Sequence, residues 1–520
     1  MLSLSKKSFL GRTAKLKYLH SLPRTISVVF FSNSTEDSKQ TDTAQGRKEY
    51  DIAIVGGGMV GAAVGCGLAS LPLTKALKIA IIDSNPTLGV KKIFPKDDIP
   101  DPRVSTITPA TVSFFKDIGA WEHVQECRHA PFDKMQVWDY TGWGYTRYNA
   151  RDVGKQVLGY VVENKVLHNA LLLCLQDKGY AEMIYPAKVK SVLSPSNSQS
   201  MLKSNSTGQA DNNNTLSASS EDPLNSNFPH SLAKVKLDDG SCLYARLVVG
   251  ADGGRSQVRS MTGFQTSGWD YKQHALICTV ELETENQTAW QRFLPTGPLA
   301  LLPMGKKFSN IVWSTTPEQA AQLKGMTQNE FVHEVNRALQ HDCGPHLLSQ
   351  ISGVLDSTPS ISEIFQVPPR VTGLSTERMS FPLSLMHARS YASNRVVLVG
   401  DAAHTVHPLA GQGVNLGFGD AAELVRILNE GILTGSDIGE ISLLKKYERE
   451  RKLVNLPMMA ILDGFQRIFS ADFGPVNMLR AAAFSGVQFL GPLKRQVMSY
   501  AMGDQKWPLF PLNLDKVLRS

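Results

Sequence analysis

A short aliphatic run near residue 50 leads directly into glycines and then into an apolar, helix-like stretch. The run at 50–55 reads as a buried strand, 60–71 as a helix and 78–83 as a second strand. This order predicts a βαβ unit and therefore a parallel sheet. Two later strand-like runs, 243–249 and 395–399, also end at Gly and Asp residues. Because these pieces are far apart in the chain, we predict one discontinuous domain with another domain inserted into it.

The turn after the first strand carries a GxGxxG motif. Gly56 permits the tight turn, Gly58 lets the backbone approach a pyrophosphate, and Gly61 permits close packing of helix and strand. The following helix N-terminus offers free N–H groups to phosphates. Asp83 ends the second strand, where an acid accepts hydrogen bonds from an adenosine ribose. The motif in this context predicts a dinucleotide site.

A second glycine-rich segment follows the strand-like run at 243–249. It contains Asp252, Gly253 and Arg255, and then Arg259 one helical turn further on. A strand thus delivers an acid, flexible glycines and two cations to one place. Taken alone, the segment equally fits an ordinary β-turn before a helix.

A third segment begins at Gly400 and Asp401, after the run at 395–399. The acid can accept hydrogen bonds from a ribityl chain, and the N–H groups beyond it can face a flavin's pyrimidine edge. The further candidate contacts in this segment are Pro408, Gly411, Gly413 and Asn415. His404 and His407 lie three residues apart, but no third metal ligand follows nearby, so we predict no metal site.

Charge and cysteine usage restrict the class of protein. Most of the formal net charge of +7 comes from the first 34 residues, which contain no acid, so a nucleic-acid partner is not expected. A basic, Ser-rich, acid-free leader over residues 1–40 predicts a mitochondrial transit peptide, with a disordered basic tail as the alternative. The 6 cysteines form no CxxC pair, which argues against zinc and fits a reducing compartment.

The last part of the chain is predicted to be helical. Met458, Leu462, Phe465 and Phe469 fall on one helical face, and core packing is favoured over a membrane or partner face as the explanation. Lys494, with Arg495, follows a second apolar stripe and offers a candidate contact with a membrane surface. No stretch reaches the roughly 20 apolar residues that a membrane-spanning helix needs.

Together, the three glycine-centred segments resemble those of the group A flavoprotein monooxygenases, whose reference fold is that of p-hydroxybenzoate hydroxylase. In that family the segments bind FAD. Residues 407–420 resemble the signature of the ubiquinone-biosynthesis hydroxylase subgroup, as does Asp101-Pro102-Arg103. In the subgroup the arginine, here Arg103, lies against the flavin. The leader points to its mitochondrial members.

The resemblance implies an α/β fold with a discontinuous Rossmann-like FAD-binding domain, an inserted β-sheet substrate domain and a helical C-terminus. The expected FAD-binding segments are 48–130, 151–270 and 376–430, with a disordered polar insertion at 194–231. The expected substrate domain comprises 131–150 and 271–375, and the helical region 431–520.

The family's chemistry is hydroxylation of an electron-rich ring through a flavin C4a-hydroperoxide formed with O2. The resemblance implies a polyprenylated phenolic substrate of the 4-hydroxybenzoate type in ubiquinone biosynthesis. It further implies electrons from a ferredoxin and its NADPH-dependent reductase, a place in the coenzyme Q biosynthetic complex, and peripheral contact with the matrix side of the mitochondrial inner membrane. No catalytic acid or base can be identified from the sequence.

Three alternatives remain open at this stage. A flavin halogenase or epoxidase would share the fold, but a halogenase WxWxIP motif is absent from the sequence. An NADPH-dependent hydroxylase of a small soluble phenol would need a polar, closed pocket. A non-catalytic FAD-binding subunit of a biosynthetic complex would differ only in activity.

Overall fold

The structure is a computed structural model that describes residues 48–90, 94–141, 144–195, 232–340, 365–470, 483–484, 487–488 and 490–503. The predicted leader, almost all of the predicted insertion at 194–231 and part of the predicted substrate domain, 341–364, lie outside these residues.

Helices and strands alternate in the first third of the chain, and strands dominate its middle. The helices are α1 (Met59–Ser70), α2 (Pro109–Asp117), α3 (Trp121–Glu126), α4 (Asn164–Lys178), α5 (Gln257–Met261), α6 (Pro317–Gly325), α7 (Gln328–Gln340), α8 (Gln412–Leu433), α9 (Ile441–Ser470) and α10 (Gly491–Ala501). The strands are β1 (Lys48–Val55), β2 (Ile79–Ile82), β3 (Val104–Ile107), β4 (His129–Phe132), β5 (Lys134–Asp139), β6 (Tyr145–Asn149), β7 (Gly159–Glu163), β8 (Ala181–Ile184), β9 (Val189–Leu193), β10 (Ala233–Leu237), β11 (Cys242–Gly250), β12 (Thr266–Leu282), β13 (Thr288–Leu294), β14 (Gly297–Pro303), β15 (Phe308–Thr315), β16 (Val371–Leu374), β17 (Met379–Ala388), β18 (Ala392–Ser393), β19 (Val396–Leu398) and β20 (His404–Thr405).

The first sheet has the strand order β18-β19-β11-β1-β2-β8, and β10 and β9 extend it from β11. Its strands from β19 to β8 run parallel. The end of β1 is fully buried, as expected for a parallel strand with both faces covered by helices. Because β19 follows β1 by more than three hundred residues in the chain, the prediction of a discontinuous, Rossmann-like α/β domain is confirmed.

A second, mostly antiparallel sheet has the order β20-β17-β12-β15-β14-β13-β5-β6, with β16 on β12. Its limits differ from the predicted domain boundaries at 270/271 and 375/376. β12 is one continuous strand from Thr266, and β17 pairs with it along residues 379–388. Both the start of β12 and all of β17 therefore belong to this sheet, although they were assigned to the FAD-binding segments. A small third sheet joins β3, β7 and β4.

Helices cover both faces of the second sheet. On one face Leu323 of α6 and Phe331 of α7 pack with Trp313 and other strand residues. On the other face Met458 and Leu462 of α9 pack in a cluster with strand residues. Core packing is thus the main use of the predicted α9 stripe, except at Phe465, which is 47% exposed.

The position of Lys494 differs from its predicted role in a membrane contact. Its side chain is only 6% exposed, and Nζ lies 3.1 Å from Oδ2 of Asp152. The α10 helix therefore uses this charge to pack against the turn after β6. In the part of the chain that the structure describes, no helix has the length and apolarity required to span a bilayer.

Candidate functional site

The parallel strands of the first sheet end at one edge, and the turns that follow them enclose a cleft of about 680 Å³. Strand carboxyl ends in open α/β sheets form the usual ligand crevice. Predicted contact residues from all three glycine-centred segments line this cleft. They are Gly56, Gly58, Asp83, Asp252, Gly253, Arg255, Asp401, Pro408, Gly411 and Gly413.

The GxGxxG turn has the geometry that its glycines permit. Gly56 has a φ of +106°, and a Cβ there would lie 2.4 Å from the Ala251 carbonyl oxygen. A Cβ on Gly61 would lie 1.9 Å from the Gly56 oxygen, whereas one on Gly58 would meet no atom within 4 Å. Gly56 and Gly61 are therefore required by packing, while Gly58 leaves space open for a ligand in the cleft.

Two side chains fix the middle of this turn. Gly57 donates its N–H to Oδ2 of Asp83 at 2.6 Å, and its carbonyl oxygen lies 2.7 Å from Nε2 of His168 on α4. Asp83 also accepts the Asn85 N–H through Oδ1, at 2.7 Å. Asp83 thus braces the loop in addition to lining the cleft, and His168 is a contact that no sequence motif indicated.

The second segment is connected to the third by an arginine. Arg259 donates from Nη1 to the Ala402 carbonyl at 2.9 Å and from Nη2 to the Gly254 carbonyl at 2.7 Å. Asp252 uses Oδ2 to accept the Gln257 N–H at 2.7 Å, at the N-terminus of α5. Its Oδ1 is buried without a hydrogen-bond partner among the described residues, so it can accept a hydrogen bond from a ligand in the cleft.

Asp401 lines the cleft, and its side chain is exposed within it. Burial raises the pKa of its carboxyl above the ordinary value; His404 opposes this rise and Asp420 adds to it. Hydroxyl donors from a ligand in the cleft would favour the ionised carboxylate and oppose this rise in pKa.

Some predicted contact residues lie behind or outside the cleft wall. Gly61 and Gly400 support the turns from behind. Asn415 braces the start of α8, since it accepts the Thr108 N–H at 3.1 Å and donates to the Thr106 carbonyl at 2.8 Å. The Arg103 side chain is 61% exposed and pairs with Asp101, and Arg103 is not among the described residues that line the cleft. Its contact with the flavin stays a prediction.

Sequence reasoning missed several residues that line the cleft, among them Ser105, Asn164 and Lys188. Ser105 donates to Oδ1 of Asn164 at 2.6 Å and thereby connects β3 to the start of α4. These residues belong to no glycine-rich motif. The only available signal was that Asn164 follows a strand directly, at the start of a helix.

The cleft fits FAD by several independent features. The α1 and α8 helices both begin at it, with Gly58 and Gly411 at their N-caps and no side chain capping either end. Their N–H groups can bind phosphate or flavin oxygens. Three further features fit FAD: the open space at Gly58, the Asp252 oxygen without a partner among the described residues, and the exposed cation Arg255. The volume lies within the usual range for cofactor sites, about 300–1,000 Å³.

Solved structures show the same fold. The p-nitrophenol 4-monooxygenase PnpA of Pseudomonas putida superposes with a TM-score of 0.60, at 15% identity, and covers 88% of this chain and 99% of its own. PqsL of Pseudomonas aeruginosa also has a TM-score of 0.60, at 19% identity, covering 84% of this chain and 99% of its own.

Sequence comparison identifies the family. The FAD binding domain family matches residues 49–358 and 357–460. The mitochondrial ubiquinone biosynthesis monooxygenase COQ6 of Xenopus tropicalis is 36% identical over 472 residues, which are 88% of this chain and 94% of that protein. The Homo sapiens protein of the same name is 35% identical over 464 residues, 87% of this chain and 92% of that protein. The cofactor of this chain is FAD, as predicted, and the chain belongs to the COQ6 family of flavin-dependent monooxygenases.

Proposed function

We propose that the chain hydroxylates the aromatic ring of a polyprenyl-4-hydroxybenzoate-type intermediate in ubiquinone biosynthesis, with O2 as the oxygen source. The observation that carries this proposal is the convergence of the three glycine-centred turns on one FAD-sized cleft. The family supports the assignment to ubiquinone biosynthesis, because the relatives are named ubiquinone biosynthesis monooxygenases.

In this proposal FAD supplies the redox chemistry with O2, and the chain positions FAD and the ring. Asp401 accepts hydrogen bonds from ribityl hydroxyls, and the α1 N-terminus with Gly58 binds the pyrophosphate. N–H groups at the start of α8 would lie at the flavin's pyrimidine edge and would stabilise negative charge there. Asp252 offers its free oxygen to a further donor on the cofactor.

The apolar cluster next to the cleft supports a prenylated substrate. Leu409 directly follows the cleft residue Pro408, and it packs in a buried cluster with Phe293 of the second sheet and with Met458 and Leu462 of α9. Burial of an isoprenoid chain against apolar side chains is favourable at about 25 cal/mol per Å², so we propose that the tail leaves the flavin site on the side of this apolar cluster.

The electron source and location also belong to this proposal. We propose a ferredoxin with its NADPH-dependent reductase as donor, which would dock near the exposed cations Arg255 and Lys188 at the cleft. By analogy with the mitochondrial relatives, the chain would act on the matrix side of the inner membrane, as a member of the coenzyme Q biosynthetic complex.

Exposed apolar residues of α9 offer a peripheral membrane contact. Leu453 and Leu456 are 51% and 43% exposed and lie one turn apart on this helix. Replacing both by Asp should reduce sedimentation with anionic vesicles, while Leu433→Asp, at an exposed position at the end of α8, should not. Equal binding of both variants would remove α9 from the contact.

The substrate proposal is tested by turnover of a prenylated 4-hydroxybenzoate and its unprenylated parent under the same conditions. Ferredoxin, ferredoxin reductase and NADPH supply electrons, and product mass with ring position is the readout. We expect the prenylated ring to be hydroxylated far more efficiently.

The alternatives give different outcomes in the same assay. Equal turnover of both phenols, or activity with NADPH alone, would favour the hydroxylase of a small soluble phenol. An FAD-loaded chain that turns over neither phenol, while its flavin is reduced normally, would favour the non-catalytic subunit.

A further inference from the structure

Behind the cleft, the carboxylate of Asp420 on α8 is completely buried and accepts four hydrogen bonds. Oδ2 accepts from the Gly400 N–H at 2.9 Å and from His404 Nε2 at 2.6 Å. Oδ1 accepts from Arg451 Nε at 2.6 Å and from Asn455 Nδ2 at 3.1 Å. Arg451 and Asn455 both belong to α9, so this carboxylate joins two helices to the turn that carries Asp401.

The ionised state of this carboxyl follows from its partners. Burial on its own raises the pKa of Asp420, but the neighbouring His404 and Arg451 outweigh burial and keep the pKa well below its usual range. The ionised oxygens are thus compensated within the protein. A buried charge with matched donors fixes the geometry of its neighbours, because moving any one of them would leave a group unpaired.

The turn fixed in this way is the one that faces the cofactor. Gly400 has a φ of +59°, a left-handed conformation that glycine adopts without strain. Its N–H points to Asp420, and the next residue, Asp401, lines the cleft. Glycine permits this turn but does not select it, since an isolated glycine samples many other conformations. The hydrogen bond from its N–H to a rigid carboxylate provides the selection.

We infer that Asp420 is a positioning residue for the cofactor: it selects the Gly400 turn and so aims Asp401 into the cleft, while Arg451 and Asn455 orient its carboxylate. The C-terminal helix α9 therefore contributes to FAD affinity through a residue that does not line the cleft. This inference rests on the FAD-binding part of the proposed function and not on the choice of substrate.

The test compares Asp420→Asn with a matched carboxylate elsewhere, Glu448→Gln. Glu448 on α9 also accepts several hydrogen bonds, among them those from Ser390 Oγ at 2.8 Å and from the Tyr391 N–H at 3.1 Å. It supports the turn before β18 and is not among the described residues that line the cleft. Both variants are expected to lower the Tm of the apoprotein.

The two readouts are the FAD dissociation constant, measured by flavin fluorescence titration of the folded apoprotein, and its Tm. For Asp420→Asn we expect the FAD dissociation constant to rise at least about tenfold. For Glu448→Gln we expect it to change less than about threefold, although the Tm falls by a similar amount. Equal changes in FAD affinity for the two variants, or a lower Tm with unchanged affinity for Asp420→Asn, would overturn the inference.

A second variant applies if Asp420→Asn does not fold. Arg451→Lys keeps the positive charge but loses the bonds from Nη2 to the Leu416 carbonyl and Asn455 Oδ1. We expect a several-fold weaker FAD complex, and unchanged affinity would contradict the inference. These titrations need no substrate, so a failure of the proposed substrate would leave their result unaffected.

Discussion

The turns at the end of the first sheet present backbone N–H groups and carboxylates to a cleft, whereas both faces of the second sheet are covered by apolar helix residues. The cleft residues come from short segments directly after strands, at Gly56, Asp252 and Asp401. The walls of the second sheet come from strands and helices far apart in the chain. The cofactor site therefore depends on local backbone geometry, whereas the neighbouring apolar region depends on tertiary packing.

The largest effect is expected at Gly58, where the cleft wall is open. Gly58→Val would place a side chain in the space assigned to the pyrophosphate, so FAD affinity should fall by at least about a hundredfold, roughly 2.7 kcal/mol. The control is Gly325→Val at the end of α6, where a Cβ also meets no atom within 4 Å. Flavin absorbance of the purified variants measures the effect, and normal FAD content in Gly58→Val would contradict the assignment.

Asp401→Asn should weaken FAD binding by an intermediate amount. It should also stabilise the folded apoprotein at neutral pH. Asn keeps an acceptor oxygen but loses the charge; hydrogen bonds to charged acceptors contribute about 1.5–3 kcal/mol and those to neutral ones about 0.5–1.5. The FAD dissociation constant should therefore rise roughly five- to tenfold. Titration of the apoprotein with FAD measures this change.

The sign of the stability effect follows from the raised pKa of Asp401. The folded apoprotein favours the neutral carboxyl, so this stabilisation is full below the ordinary pKa of about 3.9 and is lost as the pH rises through the raised value. Asn stays neutral, so the variant's apoprotein Tm should exceed that of the wild type at neutral pH. This difference in Tm should shrink towards pH 4. A variant Tm below that of the wild type at neutral pH would contradict the raised pKa of Asp401.

The sequence predicted ten of the residues that line the cleft, because these follow strands within a few positions. It did not indicate that Asp101 holds Arg103: the Asp101 carboxylate accepts the Arg103 N–H at 2.8 Å and pairs with its side chain. Asn415 lies in the predicted third segment, but its side chain bonds to β3 and to the start of α2 behind the cleft wall. The partners of Asp420 on α9 are separated from it by 31 and 35 residues, and no local pattern indicates such a contact.

Substitution of Lys494 should change stability but not FAD binding. Lys494→Met removes its ion pair with Asp152 but retains the buried stem. Because Asp152 is 37% exposed, solvent screens the remaining charge, and we expect a loss of only about 1 kcal/mol in unfolding free energy. Denaturant unfolding measures this loss, and FAD affinity should stay unchanged. Loss of FAD in this variant would show that α10 also shapes the cleft.

The smallest effect is expected for deletion of residues 196–227, which lie outside the described residues. Leu193 of β9 pairs with Lys234 of β10, so the two ends of the predicted insertion are neighbours that a short loop can join. Loop length changes stability only slowly, by about 0.6 kcal/mol per doubling. Flavin content and turnover should therefore match the full chain, and loss of FAD on deletion would refute the prediction of a disordered loop.

The activity itself is tested most directly by mass spectrometry of the product formed from prenylated 4-hydroxybenzoate under ¹⁸O2, with ferredoxin, ferredoxin reductase and NADPH. The account predicts one ¹⁸O atom in a new ring hydroxyl for the wild type and none for Gly58→Val. A hydroxyl oxygen that derives from water, or an FAD-loaded wild type that leaves the prenylated ring unchanged, would contradict it.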